Sequence, residues 1–148
     1  MRIDLLSSAE APQVVALLRE IDPSLFDGLP LETDQLRATI ASARRDRYWG
    51  VWDGSALQAV FFLRGLDAGF AAPAFGVAVA SFAQRRGLGH LTLVFAETWS
   101  RAVGVKEMML SVGAGNEPAM ALYKRHGFSR TEERSPKGNV IYRKALRP

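Results

Sequence analysis

Phe75-Gly76-Val77-Ala78-Val79-Ala80-Ser81-Phe82-Ala83-Gln84-Arg85-Arg86-Gly87-Leu88-Gly89-His90 is the stretch on which the fold of this chain turns. Phe75 to Val79 is an apolar run without an alternating polar face, the pattern of a strand buried on both sides. Gly76 inside it points to a bulge or to a close backbone approach. Gln84 to Gly89 is a glycine-rich turn, after which Leu88, Leu91, Phe95, Trp99 and Ala102 recur on one helical stripe that ends at Gly104.

A glycine-rich turn between a strand and a helix leaves backbone N–H groups pointing outward, and the positive end of the helix dipole adds to them. Gly87 and Gly89 admit a ligand to the backbone, while Arg85 and Arg86 bring positive charge to the same turn. An anionic phosphate fits this turn, and so does the plain alternative that the glycines serve only packing. Gly-Lys-Ser/Thr is absent, so it is no Walker loop; the third glycine of a dinucleotide fingerprint would fall at Thr92.

The chain around this stretch has 148 residues, 48% hydrophobic and 23% charged, the profile of a single globular domain spanning residues 1–148. With no cysteine, disulfide scaffolds, thiolate zinc sites, iron–sulfur clusters and cysteine nucleophiles are excluded. His90 and His126 are the only histidines, too few for a catalytic metal and not spaced as part of a serine triad. No apolar run approaches the roughly 18 residues of a membrane span, and Met1-Arg2-Ile3-Asp4 lacks a signal-peptide pattern, so a cytoplasmic protein without membrane partners is expected. Residues 84–148 carry 12 Lys/Arg against 5 Asp/Glu, a balance of +7, whereas residues 1–83 stand at −3 from 7 against 10. The basic half suits an anion. Its basic residues form no long run and do not alternate with stacking aromatics, which argues against nucleic acid.

Arg2 to Leu6 reads as a strand, with Ser7 or Ser8 capping a helix from about Ala9 to Glu20. A turn-rich stretch from Asp22-Pro23-Ser24 to Asp27-Gly28-Leu29-Pro30 leads to Thr33, the expected cap of a helix over Asp34 to Arg45. Tyr48 to Trp52 and Leu57 to Leu63, joined through Asp53-Gly54, form a hairpin. Further strands are expected at Lys106 to Val112, Phe128 to Glu133 and Val140 to Ala145, with a helix over Asn116 to His126. The sum is a mixed α/β (α+β) domain with a largely antiparallel central sheet of about seven strands and about four helices.

The segment Asn116-Glu117-Pro118-Ala119-Met120-Ala121-Leu122-Tyr123-Lys124-Arg125-His126-Gly127-Phe128 is a well-punctuated helix: Asn116 caps it, Glu117 and Pro118 suit its first turn, and Gly127 ends it. Tyr123 shares an inward face with Ala119, Leu122 and His126. Such a phenol commonly needs one hydrogen-bond partner and nothing more.

The strand, the turn from Gln84 to Gly89, and the series Asn116, Ala119, Tyr123, Gly127-Phe128 together resemble the GNAT superfamily of acyl-CoA-dependent N-acyltransferases. That resemblance implies acetyl-CoA as acyl donor, with no metal. It implies that the pantetheine arm pairs with the strand around Val77 to Val79, and that the pyrophosphate takes the turn Gln84, Arg85, Arg86, Gly87, Leu88, Gly89 and His90. Asn116 looks like the asparagine that bonds the pantetheine arm, and Tyr123 like the catalytic tyrosine near the thioester sulfur. The implied reaction is direct transfer of the acetyl group to a primary amine of a small-molecule acceptor in a ternary complex. Peptide or protein acetylation and a non-catalytic acyl-CoA-binding module stay as alternatives, and homodimerisation is left open. Gly76 to Ser81 contains no carboxylate where many relatives place a glutamate base, leaving water, Asp67, Ser111 or an early-helix carboxylate to accept the proton. Trp49, Trp52, Phe61 and Phe62 are candidates for an acceptor pocket, with the core as their competing role.

Overall fold

The structure, a computed structural model, describes residues 1–23, 26 and 28–147; Ser24, Leu25 and Asp27 of the turn-rich stretch lie outside the described residues. One sheet of seven strands runs in the order β1-β2-β3-β4-β5-β7-β6. The strands are β1 (Arg2–Leu5), β2 (Arg47–Asp53), β3 (Ala56–Arg64), β4 (Ala74–Val79), β5 (Glu107–Val112), β6 (Ser129–Arg134) and β7 (Val140–Ala145). Every neighbouring pair is antiparallel except β4 with β5. The helices are α1 (Ala11–Arg19), α2 (Thr33–Ser42), α3 (Leu88–Ala102) and α4 (Glu117–Arg125).

Local chemistry sets most of these boundaries. Ser7 accepts from the Ala9 amide while Glu10 accepts from the Ser7 amide, a reciprocal capping box that opens a single 3₁₀ turn, Ser8–Glu10, ahead of α1. At α2 the cap is Glu32, not Thr33: both oxygens of its carboxylate accept, from Asp34 and Gln35 amides at 3.0 Å each, and Thr33 becomes the first helical residue. The helix also ends at Ser42, short of Arg45. The amides of Arg44, Arg45 and Asp46 turn instead to the Asp67 carboxylate, at 3.0, 2.7 and 3.3 Å. In the β2–β3 hairpin Gly54 takes φ +59°, as the Asp-Gly turn requires, and Gln58 is an extra residue between the pairs Trp52–Leu57 and Val51–Ala59.

The core lies mainly between the sheet and its helices. Trp49 stacks on Phe61 with ring centres 5.0 Å apart, and Phe95 and Trp99 of α3 meet Trp49 edge-on at 5.3 and 5.6 Å. Trp49, Trp52 and Phe61 are therefore buried core residues, not pocket walls. Phe62 points to the opposite face, as strand alternation dictates, and meets Phe26 and Tyr48 there.

The stripe expected on α3 is observed in part: Leu88, Phe95 and Trp99 pack on the core. Leu91 is exposed and so is Ala102, whereas Leu88, Thr92, Leu93, Ala96 and Ser100 face inward. Small residues at every fourth position let the helix lie close to the sheet. The Thr92 hydroxyl satisfies itself on the Leu88 carbonyl at 2.8 Å. β4 likewise departs from expectation: Phe75 and Ala78 are buried, but Gly76, Val77 and Val79 are only half-buried because one side of the strand faces a cleft.

Candidate active site

β4 and β5 are parallel neighbours at one point, Ala74 opposite Met109, where the Met109 amide reaches the Pro73 carbonyl at 3.0 Å. Beyond it the two strands part. On the β3 side the Ala80 amide bonds the Gln58 carbonyl at 2.8 Å, so in this antiparallel ladder the even-numbered residues of β4 turn their backbone groups toward β3. The odd-numbered residues turn theirs the other way. Val77 and Val79 thus present backbone N–H and C=O groups to the gap left by β5, a strand edge inside the sheet. Gly76 is not a bulge, since the β3–β4 register is regular across it. It is a close approach: a Cβ there would stand 2.3 Å from Cζ of Phe62.

The gap opens into a cleft of about 610 Å³. Tyr123 of α4 reaches it from the face that carries Phe75 and Phe128, whose rings lie 6.5 and 6.0 Å from the phenol ring. Phe26, Phe62 and Arg64 line it from the opposite face of the sheet, and Glu133 to Pro136 from the end of β6. Burial pushes the Tyr123 hydroxyl up to about 12, so it holds its proton across any working pH.

The turn before α3 lies at the far end of β4. Arg85 takes φ +63°, a left-handed conformation that costs a residue with a β-carbon about 1 kcal/mol, and Gly87 takes φ +82° with open space around it. Left-handed residues at Arg85 and Gly87 fold the turn back on itself, and the amides of Leu88, Gly89 and His90 add the unpartnered first turn of a 15-residue helix, a setting suited to an anion. Gln84, Arg85, Arg86 and Gly87 are exposed; Leu88 is buried and offers only its backbone. Arg86 lies 3.4 Å from Oε1 of the bulged, buried Gln58. Gly89 packs against α4, where a Cβ on it would stand 3.2 Å from Cδ2 of Leu122.

Asn116 caps α4 through its side-chain oxygen, which accepts from the Ala119 amide at 3.3 Å. His90 and His126, distant in sequence, meet at 2.8 Å between the start of α3 and the end of α4. Of the proposed proton acceptors, Ser111 lines the cleft but Asp67 is committed to its three amides, which hold its carboxyl below the usual range. Sequence reasoning missed Phe26, Asp46, Arg64, Glu133 and Arg134. They come from loops and strand ends that only the folded sheet brings to one opening. Among the described residues no three His, Asp or Glu side chains cluster closely enough to hold a metal ion, and no helix is long and apolar enough to cross a membrane.

The model of the acetyltransferase (GNAT) family matches residues 13–128, and the chain belongs to that family. No curated protein sequence matches it significantly. Among solved structures it is similar to yncA, a putative acetyltransferase from Salmonella typhimurium with its cofactor acetyl-CoA, at 15% identity and TM-score 0.82, covering 100% of this chain and 95% of that one. The PaiA N-acetyltransferase of Thermoplasma acidophilum in complex with coenzyme A matches at 18% identity and TM-score 0.81, covering 97% and 98%. A ribosomal-protein-alanine N-acetyltransferase from Brucella melitensis matches at 17% identity and TM-score 0.83, covering 99% and 100%. At these identities the likeness is one of fold.

Proposed function

We propose that this protein is a cytoplasmic N-acetyltransferase that moves an acetyl group from acetyl-CoA directly to the amine of a small-molecule acceptor. The observation that carries this reading is the unpaired edge of β4, which runs from the left-handed turn before α3 to the cleft beneath Tyr123. An extended amide-bearing arm can complete that edge as an added strand would, through Val77 and Val79. Its diphosphate then falls on the amides of Arg85 to His90, and the Asn116 side-chain amide is at hand for the arm. Acetyl-CoA supplies an activated thioester carbonyl when bound.

The chain supplies orientation, a dipole and a proton. The Val77 amide, on the open side of β4, is suited to donate to the carbonyl oxygen as negative charge develops on it. Tyr123 is the proton donor for the departing sulfur. Its raised pKa makes it a weaker acid than a free phenol, but the apolar surroundings that raise it also strengthen a thiolate as a base. Asp46, Asp67 and Glu133 are all engaged with protein donors, so the acceptor's ammonium proton leaves through the water of the open cleft or past Ser111. The cleft's volume lies within the roughly 300–1,000 Å³ usual for small ligands.

Calorimetry with acetyl-CoA, followed by thiol release over classes of amine, tests the reading. Saturable binding together with amine-dependent release of CoA is expected. Absence of binding would overturn it, and binding without release for any amine would leave a non-catalytic acyl-CoA module.

A further inference from the structure

The acceptor side of the cleft carries a cation that the acetyl-transfer reading does not use. Arg64 ends β3 opposite Ala74, two residues along the same face from Phe62, and is half-buried. Its guanidinium lies 5.9 Å from the ring centres of both Tyr48 and Phe62, which hold it beside the cleft. No carboxylate ion-pairs with it among the described residues. Among the described residues, the acidic groups lining the cleft are otherwise committed. Asp46 accepts from the amides of Gly65 and Asp67 at 3.0 and 3.1 Å, and Glu133 takes two hydrogen bonds from Arg143 at 2.7 and 3.2 Å. Arg134, exposed at the mouth, adds a second positive charge.

A partly desolvated guanidinium set beside two aromatic rings, with no ion-pairing acid among the described residues, is a receptor for a planar anion. The same charge repels a polycation. We propose that the acceptor is a small amine that also bears a carboxylate, an amino-acid-like molecule whose carboxylate pairs with Arg64 and whose apolar side chain packs on Phe26 and Phe62. This rests on the cleft being the site of acetyl transfer. Tyr123 and Arg64 enter from opposite faces of the sheet, so the acceptor meets the thioester at the gap between the strands with its amine toward β4 and its carboxylate away from it.

Matched probes separate the claim from the reading beneath it. L-Phenylalanine and L-leucine are compared with their decarboxylated counterparts phenethylamine and isoamylamine, with spermidine, and with an alanine-initiated peptide amidated at its C-terminus. Each is scored for CoA release and for calorimetric binding to the CoA-loaded protein. A charge-assisted pair with Arg64 predicts that the carboxylated probes lead their counterparts in kcat/KM by about tenfold or more. Arg64→Met, which keeps the apolar stem over the rings, should shrink that lead to less than about threefold, chiefly through KM, and Arg64→Lys should restore part of it. Preference for the decarboxylated amines, spermidine or the peptide would overturn the proposal. So would a CoA-loaded protein that neither binds nor acetylates any carboxylated probe. Failure to bind CoA at all would instead sink the transfer reading itself.

Discussion

Nδ1 of His90 lies 2.8 Å from Nε2 of His126, so one imidazole–imidazole hydrogen bond ties the first turn of α3 to the C-cap of α4. One ring must donate and the other accept, which holds for the neutral pair and for the pair carrying one extra proton. With both rings charged the bond is lost and two like charges face each other. Burial, then the neighbouring His90, lowers the His126 pKa from the usual 6.5, with Lys144 and Arg125 adding to the effect and Glu97 opposing it. The unfolded chain therefore binds the more protons just below pH 6.5, and folding stability falls as the pH drops through that value toward the lower folded-state pKa. The melting temperature should be lower at pH 5.0 than at pH 7.5, a window in which Asp67 and Glu133, both held below their normal range, stay ionised. His126→Asn should flatten that dependence; an unchanged slope would assign it elsewhere.

Tyr123→Phe removes the hydroxyl and leaves the ring packed on Phe75 and Phe128. Turnover should fall at least about tenfold while acetyl-CoA affinity stays within about threefold, the signature of a group that acts in the reaction and not in binding. With a pKa near 12 the phenol cannot produce an alkaline fall in rate below about pH 10. An intact kcat in the variant would remove Tyr123 from the chemistry.

Gly87→Glu combines two effects that a control can part. Its φ of +82° penalises any side chain, and the added carboxylate would stand in the proposed diphosphate cradle. Gly87→Ala measures the first alone. The glutamate should cost CoA binding at least about a hundredfold against the alanine variant by calorimetry, with similar melting temperatures for the two.

Gly76→Ala tests the close approach in β4. The new methyl would overlap the Phe62 ring at 2.3 Å, and that ring is held by Phe26 and Tyr48. The substitution should destabilise the fold by about 1–3 kcal/mol in urea titrations and turn Phe62 into the cleft, weakening acceptor binding more than CoA binding. A stable variant with unaltered KM for the acceptor would contradict this account.

Lys144 bonds the buried Glu97 at 3.0 and 3.2 Å and also the His126 carbonyl, joining β7, α3 and the end of α4. Lys144→Met strands an acid with only Arg101, at 3.5 Å, for company. Loss of about 3 kcal/mol is expected, read from equilibrium unfolding.

What was legible in the sequence is what short range determines. The Asp53-Gly54 hairpin, the capping of α4 by Asn116 and its end at Gly127, and the strand-turn-helix from Phe75 onward follow from neighbours a few residues apart. The inward stripe of α3 is legible at Leu88, Phe95 and Trp99 but not where size outranks apolarity: Thr92, Ala96 and Ser100 face the sheet, where small side chains permit close packing, while Leu91 is turned to solvent. Asp67, eligible as a base by residue type, is consumed by the amides of Arg44, Arg45 and Asp46, a partnership across more than twenty residues. Arg64 gave no signal at all. That it has no acid partner among the described residues depends on where Asp46 and Glu133 spend their hydrogen bonds, and no local pattern encodes that.

The parting of β4 from β5 leaves a gap in the sheet that, on the proposed reading, the pantetheine arm would fill from outside. Deuterium should enter the amides of Val77 and Val79 quickly in the empty protein and slowly once CoA is added, while Ala78, already bonded to β3, exchanges at one rate in both. Two valines thereby become a label-free gauge of occupancy, readable before any acceptor has been found.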